Sequence, residues 1–136
     1  MGIEDAVKKV RDRITASAAK AGRDPAGIRL VAVSKTVEPE RIIEAVKAGV
    51  AILGENRVQE AREKIPEIAS LSAAGSVEWH LIGHLQKNKA RTAVMLFDLI
   101  HSVDSVALAV ELNKQAGKTG KIQDVLVQVK LSGEAA

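Results

Sequence analysis

The sequence predicts an α/β protein built on a parallel β-sheet. Short apolar runs alternate with longer helical patterns of apolar residues, in the order α-β-α-β-α-β-α-β-α-β. The connections between these segments are short, and such alternation favours right-handed crossovers between parallel strands. The run Leu30–Val33 has four consecutive apolar residues, which is typical of a strand covered on both faces of such a sheet.

Local signals set the expected bounds of the helices. Gly22 and Gly49 are placed to end the first two helices, and Pro39 suits the first turn of the second. Pro66 predicts a break or kink in the third helix, and Asp104 is the expected N-cap of the fifth. The five expected strands are residues 30–33, 50–53, 77–82, 98–103 and 122–131.

Five strands in one domain, residues 1–136, fit two architectures. One is an open flavodoxin-like sheet. The other is the first part of a (β/α)₈ barrel, which takes about 250 residues in total. Both architectures place functional side chains at the carboxyl ends of the strands, and the periodicity of the sequence does not choose between them.

Composition excludes several classes of function. The chain has no cysteine, which rules out disulfides, thiolate nucleophiles and thiolate metal ligands. Trp79 and Phe97 are its only aromatic residues, so the stacking surfaces that bind single-stranded nucleic acid are absent. The net charge of +3 is well mixed along the chain and is a weak argument for nucleic acid. We find no signal peptide and no apolar run of membrane-spanning length, so we expect a cytoplasmic protein with no membrane partner.

Two polar residues follow the first two expected strands. Lys35 stands where the first strand ends, and partial desolvation there would favour the neutral amine, a nucleophile suited to Schiff-base chemistry. The alternative is a lysine whose ammonium simply reaches solvent. Asn56 follows the second strand and can hydrogen-bond a ligand, or it can cap the third helix in a capping box with Gln59.

The third expected strand carries His80 and is followed by Gly83 and His84. His80 either faces a ligand from the barrel interior or is a hydrogen-bonded core histidine. Gly83 permits a tight turn or a close approach of the backbone to a ligand. The two histidines are separated by a strand end and a turn, a spacing that does not suit a metal pair, so we expect no metal site. The basic residues that begin the fourth helix are interpreted as a solvated face or an anion site.

Four motifs with these spacings resemble one known family. They are Leu30–Thr36, Gly54–Glu60, Trp79–Lys89 and Ile100–Asp104. Together they resemble the pyridoxal 5′-phosphate (PLP) homeostasis proteins, whose fold is like the N-terminal barrel of alanine racemase. The resemblance covers essentially the whole chain and favours the barrel over the flavodoxin-like sheet.

The resemblance implies a specific binding site. Family members hold PLP as a Schiff base on the lysine that matches Lys35, and the asparagine that matches Asn56 lies close to the cofactor. The residues that match His80 and Gly83 belong to the signature on the third strand. The family's chains are longer than this one. The resemblance places their phosphate-holding residues, and the arginine that meets the pyridine nitrogen, beyond residue 136.

The resemblance also implies a non-catalytic role. Family members have no established turnover and are thought to buffer PLP or deliver it to PLP-dependent apoenzymes. They are single-domain and often monomeric. A racemase-type enzyme is the first alternative, but it needs a second base across the cofactor, and this chain has no tyrosine. A flavodoxin-like interaction module is the second alternative. Because an unclosed barrel exposes strand edges, we also expect this chain to self-associate or to be marginally stable.

Overall fold

Helices and strands alternate along the chain as expected. The computed structural model describes residues 2–71 and 77–132. The α-helices among these residues are α1 Ile3–Lys20, α2 Pro39–Lys47, α3 Val58–Leu71, α4 Ala90–Leu96 and α5 Val106–Thr119. The strands are β1 Ala32–Val33, β2 Ile52–Glu55, β3 Glu78–Leu81, β4 Leu99–Val103 and β5 Asp124–Val127. Two 3-10 turns, Pro25–Gly27 and Lys87–Lys89, precede β1 and α4.

The order of the strands distinguishes the two architectures. All five pair in parallel, and their order in the sheet is the chain order, β1-β2-β3-β4-β5. A flavodoxin-like sheet has the order 2-1-3-4-5, whereas consecutive strands are neighbours throughout a (β/α)₈ barrel. The sheet is therefore a run of βα units of the barrel type, and the prediction of a partial barrel is confirmed.

The apolar core lies between the sheet and the helices. Leu53, Leu81 and Ile100 point from three neighbouring strands into this layer, where they are essentially inaccessible to solvent. Both aromatic side chains, Trp79 and Phe97, are buried in the same core. Each buried aliphatic or aromatic side chain contributes about 1.5–3 kcal/mol through removal of its apolar surface from water. Packing in this layer fixes the positions of the carboxyl ends of the strands relative to one another.

The two outer strands differ from their expected form. β1 spans two residues rather than four, and Val33 is 51% exposed, so the expectation of a strand covered on both faces is wrong. All four residues of β5 are exposed, and the strand ends before the expected residue 131. The physical reason is position, because each is an edge strand with one paired neighbour among the described residues.

Two of the helix signals also differ from expectation. Pro66 lies inside α3, which does not end there, because the buried Ile68 anchors the following turn. The N-cap of α5 is Ser105 rather than Asp104, and its hydroxyl accepts a hydrogen bond from Leu108 N at 3.1 Å. α5 then runs to Thr119, and it ends at a glycine with φ of 68°. None of the helices in residues 2–71 and 77–132 is both long and apolar enough to cross a bilayer.

Candidate functional site

The carboxyl ends of β1, β2 and β3 lie side by side. Ser34 N donates to Gly54 O at 2.9 Å, and Ile82 N donates to Glu55 O at 2.9 Å. These two hydrogen bonds extend the strand ladders by one residue beyond the strands themselves. Lys35 follows Ser34 directly, and Asn56 follows Glu55. The structure therefore brings these two sequence-predicted site residues, together with the turn after β3, to one edge of the sheet.

Gly83 is in direct backbone contact with Asn56. A Cβ atom added at Gly83 would lie 2.3 Å from Asn56 O and 2.8 Å from Asn56 Cα. Real side chains do not approach backbone atoms this closely, so only glycine fits at this position. The close contact found at Gly83 is with Asn56 of this chain, and a close approach to a ligand stays a prediction.

Lys35 begins a tight turn at the end of β1. Its side chain is exposed, so the described residues do not supply the desolvation that a strand end suggested. Thr36 has φ of 60°, a left-handed conformation that is unfavourable for a β-branched residue. The hydroxyl of Thr36 donates to Lys35 O at 2.6 Å, and Val37 N donates to Ser34 O at 3.1 Å. The Lys35 amine is therefore presented on a closed turn and faces solvent.

Asn56 does not cap α3. The helix begins at Val58, two residues beyond Asn56, and Gln59 donates its amide to Glu63 on the exposed side of the helix. The capping-box interpretation is therefore wrong. Asn56 lies half-buried between the turn of Gly83 and the start of α3, and ligand binding stays a prediction for its amide.

His80 lies inside the sheet, below the edge that carries Lys35. Its Nε2 lies 2.5 Å from the Glu78 carboxylate, and its Nδ1 lies 2.9 Å from Nε2 of His101 on β4. Arg29 pairs with the same Glu78 carboxylate at 2.6 Å. Side chains two residues apart on a strand share a face, so Glu78 and His80 lie on one face of β3. Both ring nitrogens of His80 are thus engaged by this chain, while a contact with a ligand stays untested.

The partners in this cluster bias its protonation. The carboxylate of Glu78 is an acceptor, so His80 donates from Nε2, and the direction of the hydrogen bond between His80 Nδ1 and His101 Nε2 is set by the tautomers of the two rings. Burial, and then the neighbouring His80, lowers the pKa of His101 below its ordinary value of 6.5. Hydrogen bonds from His80 and Arg29 lower the pKa of Glu78. His101 is therefore neutral and Glu78 is anionic at neutral pH.

We predict that His101 makes the free energy of unfolding depend on pH. In the unfolded chain this imidazole binds its proton near pH 6.5, whereas in the fold it does so only at lower pH. The unfolded state therefore binds more protons in that interval, and stability falls as pH is lowered from about 6.5 towards the folded pKa. Urea unfolding across pH 5–7 checks this, and His101→Asn should flatten the slope. An unchanged slope in that variant would show that other groups set it.

The other polar candidates are exposed to solvent. His84 is exposed, and its Nδ1 lies 3.9 Å from the carboxylate of Asp104. The basic residues that lead into α4 are exposed. Within the described parts of the chain, no group of three or more histidine and carboxylate side chains is arranged so that it could hold a metal ion.

Sequence reasoning missed a buried polar network under the Lys35 turn. Lys64 of α3 is 7% exposed, and its ammonium contacts Glu55 at 3.0 Å and Glu60 at 2.7 Å. Glu55 is fully buried at the end of β2. A signal existed, because Lys64 stands at i+3 from Ala61 and i−4 from Ile68, on the buried stripe of the helix. A lysine on that stripe predicts a buried carboxylate partner.

Comparison with known proteins identifies relatives of this chain. The profile described as alanine racemase, N-terminal domain, matches residues 7–134. The pyridoxal phosphate homeostasis protein of Escherichia coli strain K12 is 43% identical over 126 residues, which are 93% of this chain and 53% of that protein. The chain spans about half the length of the curated relatives it matches.

Two solved structures have the same fold. PipY of Synechococcus elongatus, determined with PLP bound, aligns with a TM-score of 0.76 and 45% identity over 90% of this chain and 56% of PipY. An unknown protein from Bifidobacterium adolescentis aligns with a TM-score of 0.87 and 39% identity over 97% of this chain and 56% of that one. These findings confirm the resemblance drawn from the four motifs. The chain belongs to the alanine racemase N-terminal domain family, in which its curated relatives carry the name pyridoxal phosphate homeostasis protein.

Proposed function

We propose that this chain binds PLP at the carboxyl edge of β1–β3, with Lys35 as the residue of covalent attachment. The observation that carries the proposal is the position of three residues on one edge: an exposed primary amine on Lys35, the amide of Asn56 and the close-packed Gly83. A relative of the same fold, PipY, is known with PLP bound. These side chains fit PLP, because a primary amine can react with its aldehyde and an amide can hydrogen-bond to its polar atoms.

The chain's own residues have distinct parts in this site. When bound, PLP would supply an aldehyde able to condense with a primary amine, with release of one water. Lys35 supplies that amine from a turn that leaves it accessible. Asn56 supplies one donor and one acceptor next to it. Gly83 allows the loop after β3 to lie against Asn56. His80 supports the layer beneath through its hydrogen bonds to Glu78 and His101.

We also propose that this protein binds PLP and does not catalyse a reaction. The names of the curated relatives support homeostasis of PLP rather than a reaction. Buffering of PLP, and its delivery to PLP-dependent apoenzymes in the cytoplasm, belong to this proposal. We place the contacts to the cofactor phosphate in the part of the relatives' length that this chain does not span.

The test is a titration with PLP, followed by visible absorbance. We expect a saturable band in the wild-type chain and no saturable band in Lys35→Ala, because the proposal assigns covalent attachment to the Lys35 amine. Lys114→Ala, which removes an exposed lysine on α5, is the matched control and should retain the band. Equal bands in all three proteins would show non-specific reaction with surface lysines and would overturn the proposal.

A racemase-type activity is the second candidate, favoured by the family profile that the chain matches. Such an activity needs a second base on the opposite side of the cofactor. The chain has no tyrosine, and its one assigned amine is the attachment residue. A racemisation assay with alanine separates the candidates. Turnover that is present in the wild type and lost in Lys35→Ala would favour the enzyme over the binding protein.

A further inference from the structure

The Lys35 turn is held from below by side chains of α3. Glu60 accepts a hydrogen bond from the backbone N–H of Thr36 at 2.6 Å. Lys64 Nζ donates to the backbone carbonyl of Ser34 at 2.6 Å. One residue on each side of Lys35 is therefore bound through its main chain to a charged side chain of the same helix.

The two charged side chains of α3 are themselves bound together. Lys64 Nζ lies 2.7 Å from Glu60 Oε2, and the same oxygen accepts from Thr36. Lys64 also reaches Glu55 Oε2 at 3.0 Å, and the hydroxyl of Ser34 donates to that oxygen as well. The Lys64 ammonium thus joins β1, β2 and α3 at one point directly beneath the turn.

This buried charged network adds little net stability to the contact between the helix and the sheet. Lys64 and Glu55 are 7% and 0% exposed, and removing such charges from water costs about as much as their pairing returns. Within residues 2–71 and 77–132, Oε1 of Glu55 has no hydrogen-bond partner. Apolar side chains of similar volume would stabilise the same contact at least as well. The network is better explained by the geometry that it imposes than by the stability that it adds.

The geometry that the network imposes is the backbone conformation of Thr36. Its φ of 60° is the one positive φ outside glycine among the described residues, and β-branched residues avoid this region. Such a conformation persists only where surrounding contacts hold it, and it often marks a functional turn. The hydrogen bond from Thr36 N to Glu60 is a contact of this kind. Lys64, first, and then Thr36 lower the pKa of Glu60 below 4.5, so Glu60 is an anion at neutral pH.

We propose that Glu60 and Lys64 are positioning residues that hold the Ser34–Thr36 main chain so that Lys35 meets PLP. Neither residue lies in the binding site assigned above, and they act through the backbone on both sides of Lys35. This inference rests on the proposed function for its ligand. The conformation of the turn can be tested without PLP.

The first measurement is amide hydrogen exchange at Thr36, followed by NMR in the chain without PLP. We expect Glu60→Ala to speed this exchange at least tenfold, because a charge-assisted hydrogen bond worth about 1.5–3 kcal/mol is lost. Glu60→Gln keeps an oxygen acceptor and should restore most of the protection. Glu63→Ala, which removes a carboxylate on the exposed side of α3, is the matched control and should leave Thr36 unchanged.

The second measurement is the PLP titration on the same four proteins. We expect Glu60→Ala to weaken PLP binding about tenfold, with partial rescue in Glu60→Gln, when all four proteins are titrated under conditions in which each is fully folded. A purely structural role would lower the urea midpoint of Glu60→Ala and leave the PLP affinity of the folded protein unchanged. If wild type binds PLP through Lys35 and Glu60→Ala leaves Thr36 exchange or affinity unchanged, the positioning role is overturned. If Thr36 exchange responds as expected but wild type shows no saturable PLP band, the proposed function fails and the positioning of the turn stands.

Discussion

Replacement of Gly83 by alanine is expected to lower the free energy of unfolding by about 3 kcal/mol or more. The new Cβ would meet Asn56 O at 2.3 Å, and a backbone oxygen cannot swing away as a side chain can. The loop after β3 must therefore move outward, which strains the hydrogen bond between Ile82 N and Glu55 O. Urea unfolding followed by circular dichroism measures the loss. The same displacement should remove the contact with Asn56 and weaken PLP binding.

Gly117→Ala is the matched control for this substitution. Gly117 lies inside α5, and a Cβ added there meets nothing within 4 Å. Alanine is favoured over glycine in a helix by about 1 kcal/mol, so this variant should be as stable as the wild type or more so. If both variants unfold at the wild-type urea concentration, the Gly83 turn adapts without cost and the close approach to Asn56 is not a structural requirement.

Self-association through β5 is the second large expected effect. The strand is exposed along its whole length, and Val127 and Leu126 are 72% and 49% exposed. An edge of this kind offers unpaired N–H and C=O groups beside apolar side chains, which favours pairing with another copy of the chain. Light scattering should show a mass that rises with protein concentration. Val127→Lys places a charge on this edge and should return the chain towards a monomer.

The control for the edge uses an equally apolar position elsewhere. Val110 is 62% exposed on α5, away from any strand edge. Val110→Lys adds the same charge and removes a similar exposed surface, so it separates strand pairing from a general gain in solubility. If both lysine variants reduce self-association equally, the added charge explains the reduction, and pairing through β5 does not. A wild-type chain that stays monomeric at all concentrations would contradict the prediction.

The fold class and the alternation of helices and strands could be predicted because both depend on local sequence patterns. Alternation of β-branched runs with helical spacing identified every strand and helix that the structure describes. Strand ends were less well predicted at the two edges, because β1 and β5 lack the second neighbour that would lengthen them. The capping box at Asn56 was predicted from spacing alone, and the structure begins α3 two residues later.

The candidate site, like the fold, could be predicted only in part from the sequence. The sequence by itself determined that Lys35, Asn56 and Gly83 follow strands, because parallel strands send their carboxyl ends to one edge. Only the tertiary structure decided that Gly83 packs on Asn56, that His80 bonds to His101, and that Lys64 supports the Lys35 turn. Those contacts join residues 21 to 30 positions apart, and no local periodicity specifies them. They follow from the order of the strands, which the packing of the helices against the sheet sets.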